Sequence, residues 1–250
     1  MGLTRGVVFD LDDTLYLERA YVGSGFRAIA AIVEQRCGLP RSLVWRTLQR
    51  MFQQGVRHDT FDRLLAEHPL LATRFTVPEL VIAYRDHRPD ITLLPGVYEL
   101  LRALRRHGTG LALITDGPVI SQRSKIEQLG ISPFVPTQVL TGVWPADFAK
   151  PHSRAFEEVA GRLQIPTDEL VYVADNPAKD FAAPRRLGWR TIRLRLRGQL
   201  HYAAEPPTVG HEPHCEVRSV RKLRALLGIP SVAGLQPRGR PHSLDASGAE

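Results

Sequence analysis

The chain has 250 residues, enough for one large α/β domain with an inserted module, and the composition of an ordinary globular protein. Its net charge of +7 and isoelectric point of about 9.8 favour an anionic partner, but the arginines are spread out and no RNA-binding aromatic signature accompanies them, which argues against specific nucleic-acid binding. No apolar run approaches the ~20 residues that span a membrane, and two cysteines, Cys37 and Cys215, make no disulfide framework, so the expectation is a cytoplasmic protein without a membrane partner.

The first predicted element is a short buried strand, Val7-Val8-Phe9, preceded by Gly6 and followed by the acidic cluster Asp10-Leu11-Asp12-Asp13. In an open parallel sheet, ligands bind at the carboxyl ends of strands. Asp10 and Asp12 are two apart, so both can be aimed at one bound group. Such a pair can divide labour, one carboxylate acting as nucleophile and the other as acid. Alone, an Asp-x-Asp after a strand reads first as an ordinary acidic turn.

Residues 16–89 read as a helical insertion. Phe26, Ile29, Ala30, Val33 and Cys37 lie on one helix face, with Ser24 as a candidate cap and Gly38 as the stop. Val44, Leu48, Met51 and Phe52 form a second stripe ending at Gly55. Shorter helices are expected over Asp59–Glu67 and Pro78–His87.

From Leu94 the pattern becomes an α/β alternation. Helices are predicted to about His107, over Ile120–Leu129, over Ser153–Leu163 and near Lys179–Leu187. Strands are predicted at Leu111–Thr115, Phe134–Leu140, Leu170–Ala174 and Arg190–Leu194. Residues 198–214 read as loop, Val217–Leu227 as a last helix, and 230–250 as a disordered tail. The expected division is a core of residues 1–15 and 90–229 with the helical module 16–89 inserted.

Thr115, Lys150, Asp175 and Asp180 each follow a predicted strand or precede a helix. Each has an ordinary reading, as turn former, surface charge or helix start. Parallel topology, however, brings them to one edge with Asp10 and Asp12. Four carboxylates there repel one another, which a hard cation such as Mg²⁺ relieves. The lysine and the hydroxyl suit phosphoryl oxygens.

The motifs Asp10-Leu11-Asp12-Asp13-Thr14, Ile114-Thr115-Asp116-Gly117, Lys150-Pro151 and Asp175-Asn176-Pro177-Ala178-Lys179-Asp180, in this order, resemble the four signatures of the haloacid dehalogenase superfamily over residues 6–197. The resemblance implies a Rossmann-like doubly wound parallel sheet of central order 3-2-1-4-5, a helical cap in the insertion, Mg²⁺, and an aspartyl-phosphate intermediate. It makes Asp10 the nucleophile and Asp12 the acid and then the base. Thr115, Asp116 and Lys150 would meet the phosphoryl group. Asp10, Asp12 (through its carbonyl), Asp175 and Asp180 would surround the metal, Asp180 by holding its waters or by orienting Lys150. One departure is Ala174, where glycine is common.

Asp12 points to phosphate esters, since dehalogenases lack the second aspartate. A phosphomutase uses the same pair. Phosphonate hydrolysis needs a cap lysine, and residues 16–89 contain none. A receiver-type phospho-acceptor domain also gathers Asp, Thr and Lys at strand ends, but needs no helical insertion. The expectation is a phosphatase of a small soluble phosphomonoester, a sugar phosphate ahead of a nucleotide. Arg19 and Arg27, nearest the catalytic loop, are the candidates for contacts with the rest of the substrate, because a guanidinium fork suits anionic and hydroxyl-rich groups.

Overall fold

The computed structural model describes residues 4–229, so the tail expected over 230–250 lies outside the described residues. Strands β1 (Gly6–Phe9), β2 (Gly110–Thr115), β3 (Thr137–Leu140), β4 (Leu170–Ala174), β5 (Arg190–Leu194) and β6 (Cys215–Val217) form one parallel sheet in the order β3-β2-β1-β4-β5-β6. The α/β class and the order of the first five strands are those the motifs imply.

β6 lies just past the expected loop 198–214 and takes in Val217, where the sequence predicts the start of a helix. It follows a stretch rich in Pro, Gly and His, and three residues are too short for a periodic signal. It lengthens the sheet beside β5. The last helix therefore begins later, at Val220, where the Ser219 hydroxyl accepts from Lys222 N.

Alternation along the strands feeds two cores. Val7, Phe9, Leu111, Leu113, Val171 and Val173 face one apolar cluster, whereas Val8, Ala112, Ile114, Tyr172 and Ala174 face the other. The first is covered by α6 (Val97–Arg106), α7 (Val119–Leu129) and α10 (Val220–Leu226), through Leu100, Leu104, Ile126 and Leu223. The second is covered mainly by α8 (Arg154–Leu163), through Phe156 and Val159, and by Phe181, next to α9 (Ala182–Arg186). Burial on both faces explains why the strands read as nearly continuous apolar runs.

The insertion between β1 and β2 contains α1 (Glu18–Cys37), α2 (Arg41–Gln53), α3 (Thr60–Glu67), α4 (Pro69–Ala72) and α5 (Val77–Asp86). They enclose a third apolar cluster that includes Phe26, Ile29, Leu48, Leu64 and Leu80. α1 begins six residues before Ser24, which is an interior residue and not its cap. The Ser24 hydroxyl is buried, accepts from Asp90 N at 2.8 Å and lies 3.1 Å from His87 Nε2, tying α1 to the chain that leaves α5. Gly25 is needed beside it, since a Cβ there would fall 2.3 Å from the Tyr84 ring. Cys37 and Cys215 are partly buried and pack against apolar neighbours.

The register pairs Phe9 with Leu113 on one side and with Val173 on the other. Asp10, Thr115 and Asp175 consequently emerge at the same edge of the sheet.

Candidate active site

Lys150 reaches this edge from the chain following β3, just before α8, and its peptide bond to Pro151 is cis. Its Nζ is 2.7 Å from Asp10 Oδ1 and 2.7 Å from Asp180 Oδ1, and it donates to the Tyr172 hydroxyl at 3.0 Å. The side chains of Lys150 and Asp180 are wholly buried. Burial alone favours a neutral lysine, but Asp10 and Asp180 hold Lys150 charged, well above the usual lysine range.

Burial raises the Asp10 carboxyl to about 6 against the opposing pull of Lys150. Asp175 is pushed well above the carboxylate range by burial, then by Asp180 and Asp10. Oxygens of Asp10, Asp175 and Asp180 lie within 4.8 Å of one another, and the buried Asp175 Oδ2 has no partner. An orphaned oxygen in a mutually repelling set of hard donors fits a divalent cation of the Mg²⁺ type.

Asp180 is anchored as well as charged. Its Oδ2 accepts from Asn176 N at 3.0 Å and its Oδ1 from the Tyr172 hydroxyl at 3.4 Å. Its carboxylate thus pairs with Lys150 while also standing in the cluster with Asp10 and Asp175.

Asp12 sits apart from this triad and its carboxylate is engaged elsewhere. The Tyr16 hydroxyl donates to Oδ1, Lys125 Nζ to Oδ1 at 2.7 Å, and Gln122 Nε2 to Oδ2 at 2.7 Å. Burial opposes ionisation, yet Lys125, Tyr16 and Gln122 together hold Asp12 below the usual carboxylate range. Its carboxylate is no part of the cluster formed by Asp10, Asp175 and Asp180. Gln122 Nε2 also lies 2.6 Å from Thr115 Oγ1, so one amide links the acid to the wholly buried threonine at the end of β2.

Asp116 is in the same place but differently used. Its carboxylate accepts from Thr141 Oγ1 at 2.8 Å, from Lys150 N at 3.1 Å and from Lys179 Nζ at 3.1 Å. It fastens the Lys150 segment to the end of β2. The turn after it needs a glycine: Gly117 has φ +119°, and its carbonyl would lie 2.1 Å from a Cβ on Gly142.

Asp13 is buried in the left-handed region, with φ +55°. Its carboxylate accepts from Glu18 N at 2.7 Å and Leu200 N at 2.5 Å, and its carbonyl from Gln199 Nε2 at 2.6 Å. The catalytic loop, the start of α1 and the loop after β5 are therefore fastened at one residue. Buried Arg193 continues the network, donating to Asp175 O at 3.0 Å and His201 O at 2.9 Å.

Sequence reasoning missed Tyr16, Gln122, Lys125 and Tyr172. One signal for the helix pair existed: Gln122 and Lys125 share the buried face of α7 with Ile126 and Leu129, where apolar residues belong. Arg19 and Arg27 are not drawn into the catalytic cluster. They line a separate cavity of about 680 Å³ with Gln199 and Leu200, and Arg27 is paired there with Asp90 at 2.9 Å.

Among the described residues no helix is long and apolar enough to cross a membrane. Residues 4–188 match the haloacid dehalogenase-like hydrolases. A glyceraldehyde 3-phosphate phosphatase of Methanopyrus kandleri is 32% identical over 88% of this chain and 96% of its own length. A ribulose-1,5-bisphosphate 5-phosphatase of Halopiger xanaduensis is 27% identical over 76% of this chain and 84% of its own. The magnesium-bound crystal structure of the HAD hydrolase YfnB from Bacillus subtilis superposes with a TM-score of 0.66 at 20% identity, covering 91% of this chain and all of that one. The fold, the order of the four motifs and these similarities agree, and the chain belongs to the haloacid dehalogenase-like hydrolases, as a phosphatase of that superfamily.

Proposed function

We propose that this enzyme is a Mg²⁺-dependent phosphomonoesterase of a small hydroxylated metabolite, a sugar phosphate ahead of a nucleotide. The observation that carries the reading is the placement of Asp10 between a charged, buried lysine and an unpartnered carboxylate oxygen, with a second aspartate beside it that is not part of that cluster. The names of the two sugar-phosphate relatives support the substrate class.

In this mechanism Asp10 attacks phosphorus. A bond forms from its carboxylate oxygen to phosphorus as the bond to the ester oxygen breaks. Asp12 gives its proton to the departing alkoxide. Ionised in the resting site, Asp12 takes up that proton from solvent when the dianionic phosphate arrives and makes its charge costlier. It then removes a proton from the water that hydrolyses the aspartyl phosphate, releasing inorganic phosphate and restoring Asp10. Lys150 offsets charge on Asp10 and the phosphoryl oxygens, and Thr115 binds one of them. The carboxylates of Asp10 and Asp175 and the Asp12 carbonyl would hold a Mg²⁺ ion, which would supply further neutralisation.

The helical insertion 16–89 acts as a cap that excludes water and shapes the pocket. Arg19 and Arg27 would meet a second anionic group on a longer substrate. A panel of phosphomonoesters with the purified protein and Mg²⁺ tests this reading. Sugar phosphates should be turned over with higher kcat/KM than nucleotides, and both far ahead of phosphopeptides. A preference for phosphopeptides would remove the closed cap from the account.

A further inference from the structure

One acidic residue stands where the insertion's first helix leaves the catalytic edge. Glu18 is the first residue of α1, and its backbone N–H is held by Asp13. Main-chain geometry therefore fixes its position. Among the described residues its carboxylate takes part in no hydrogen bond or ion pair. It lines a cavity of about 410 Å³ with the charged or titratable Arg57, His58, Asp62 and Arg85 and with Phe52 and Phe61. That size falls within the range of small-molecule pockets.

Glu18 ties this cavity to the loop that carries Asp10 and Asp12, since Asp13 in that loop accepts its backbone N–H at 2.7 Å. Burial, with Asp12 as the next cause, raises the Glu18 carboxyl to about 7. Arg57 forms no ion pair with it: its Nη1 donates to Phe52 O at 2.7 Å and Val56 O at 2.8 Å, and its guanidinium stacks 4.0 Å over the Phe52 ring. Arg85 is exposed on α5. A largely enclosed carboxylate without a donor costs stability, and it is satisfied once a ligand supplies the donor. Hydroxyl groups do so. A leaving group that bears its own carboxylate brings like charge into the same low-dielectric space.

We propose that Glu18 selects the leaving group, accepting hydrogen bonds from a neutral, hydroxylated one and turning away one that carries a carboxylate. This rests on the phosphomonoesterase reading above.

The test compares kcat/KM for glyceraldehyde 3-phosphate and phosphoglycolate at pH 8 with Mg²⁺, with p-nitrophenyl phosphate as a check on the parent reading. Wild type should prefer the hydroxylated substrate by about tenfold or more. Glu18→Gln, which keeps the shape and removes the charge, should shrink that ratio by about tenfold, mainly through KM. Glu18→Asp keeps the charge but shortens the reach, so it should still reject phosphoglycolate while raising KM for glyceraldehyde 3-phosphate. A ratio unchanged in Glu18→Gln, or an unchanged KM in Glu18→Asp, overturns the proposal while leaving the phosphatase reading intact. If wild type turns over none of the three compounds, the phosphatase reading fails and the assignment of Glu18 fails with it.

Discussion

Lys125 Nζ lies 2.7 Å from Asp12 Oδ1 although the two residues are 113 positions apart, and the other side of that ammonium faces the Tyr21 ring at 4.1 Å. Helix α7 thus carries a nearly buried cation into the catalytic loop, and a partly buried aspartate receives it. Charge-assisted bonds of this kind fix geometry as well as ionisation.

Lys125→Met keeps the length of the side chain but deletes the cation. Without it Asp12 rises toward protonation and loses one of its three anchors. We expect kcat to fall on the order of tenfold or more. Turnover that survives the substitution intact would show that Asp12 works independently of α7.

The metal prediction follows from repulsion among Asp10, Asp175 and Asp180. EDTA should abolish activity and Mg²⁺ restore it. Ca²⁺, larger and less strict in geometry, should inhibit. Mg²⁺ should also raise the melting temperature, since it binds the folded cluster and relieves its charge. Asp175→Asn should weaken that thermal shift. Full activity in chelator would count against the cluster as a metal site.

Glu18 gives a pH-dependent stability difference. Its folded pKa of about 7 lies above the ordinary glutamate value of 4.5, so the folded state holds the proton more tightly than the unfolded one. Stability is then lost as pH rises from 4.5 through 7, and the full cost is present at pH 8. Glu18→Gln removes this cost. It should be more stable than wild type by roughly 1–3 kcal/mol at pH 8 and by little at pH 5. Denaturant unfolding at the two pH values measures the difference. An equal difference at both would show that Glu18 is not displaced from its ordinary value.

The two cap arginines should differ. Arg27 is half exposed and already paired with Asp90, whereas Arg19 is exposed and forms no ion pair among the described residues. Arg19→Ala should raise KM for a bisphosphate more than Arg27→Ala does. Breaking the Arg27–Asp90 pair should cost little stability, as surface ion pairs are worth about 0–1 kcal/mol. Steady-state kinetics on both variants decides the order.

The core of this molecule was legible because its signals are local. A buried parallel strand is a run of Val, Ile, Leu and Phe, and the acids, threonine and lysine of the site stand within about four residues of such runs or of a helix start. Parallel topology then does the assembling. Gly38 and Gly55 were readable as stops for α1 and α2 because positive φ suits glycine, and both adopt it.

What escaped is non-local or too short. The bonds from Gln122 and Lys125 to Asp12 span more than a hundred residues, so nothing near Asp12 announces them. Ser24 was read as a cap because serine before an apolar stripe usually is one. The helix begins instead at Glu18, where the Asp13 carboxylate takes the first N–H from outside the helix. Glu18 itself looks like an ordinary acidic first-turn residue, and only its position beside the cap cavity sets it apart.

The account depends most on Asp10 as the nucleophile. Asp10→Asn is nearly isosteric, leaves Lys150 paired with Asp180, and removes the attacking oxygen's charge. Its turnover of p-nitrophenyl phosphate with Mg²⁺ should fall by on the order of 10³-fold or more, with the melting transition retained. Near-wild-type turnover in this folded variant would contradict the mechanism.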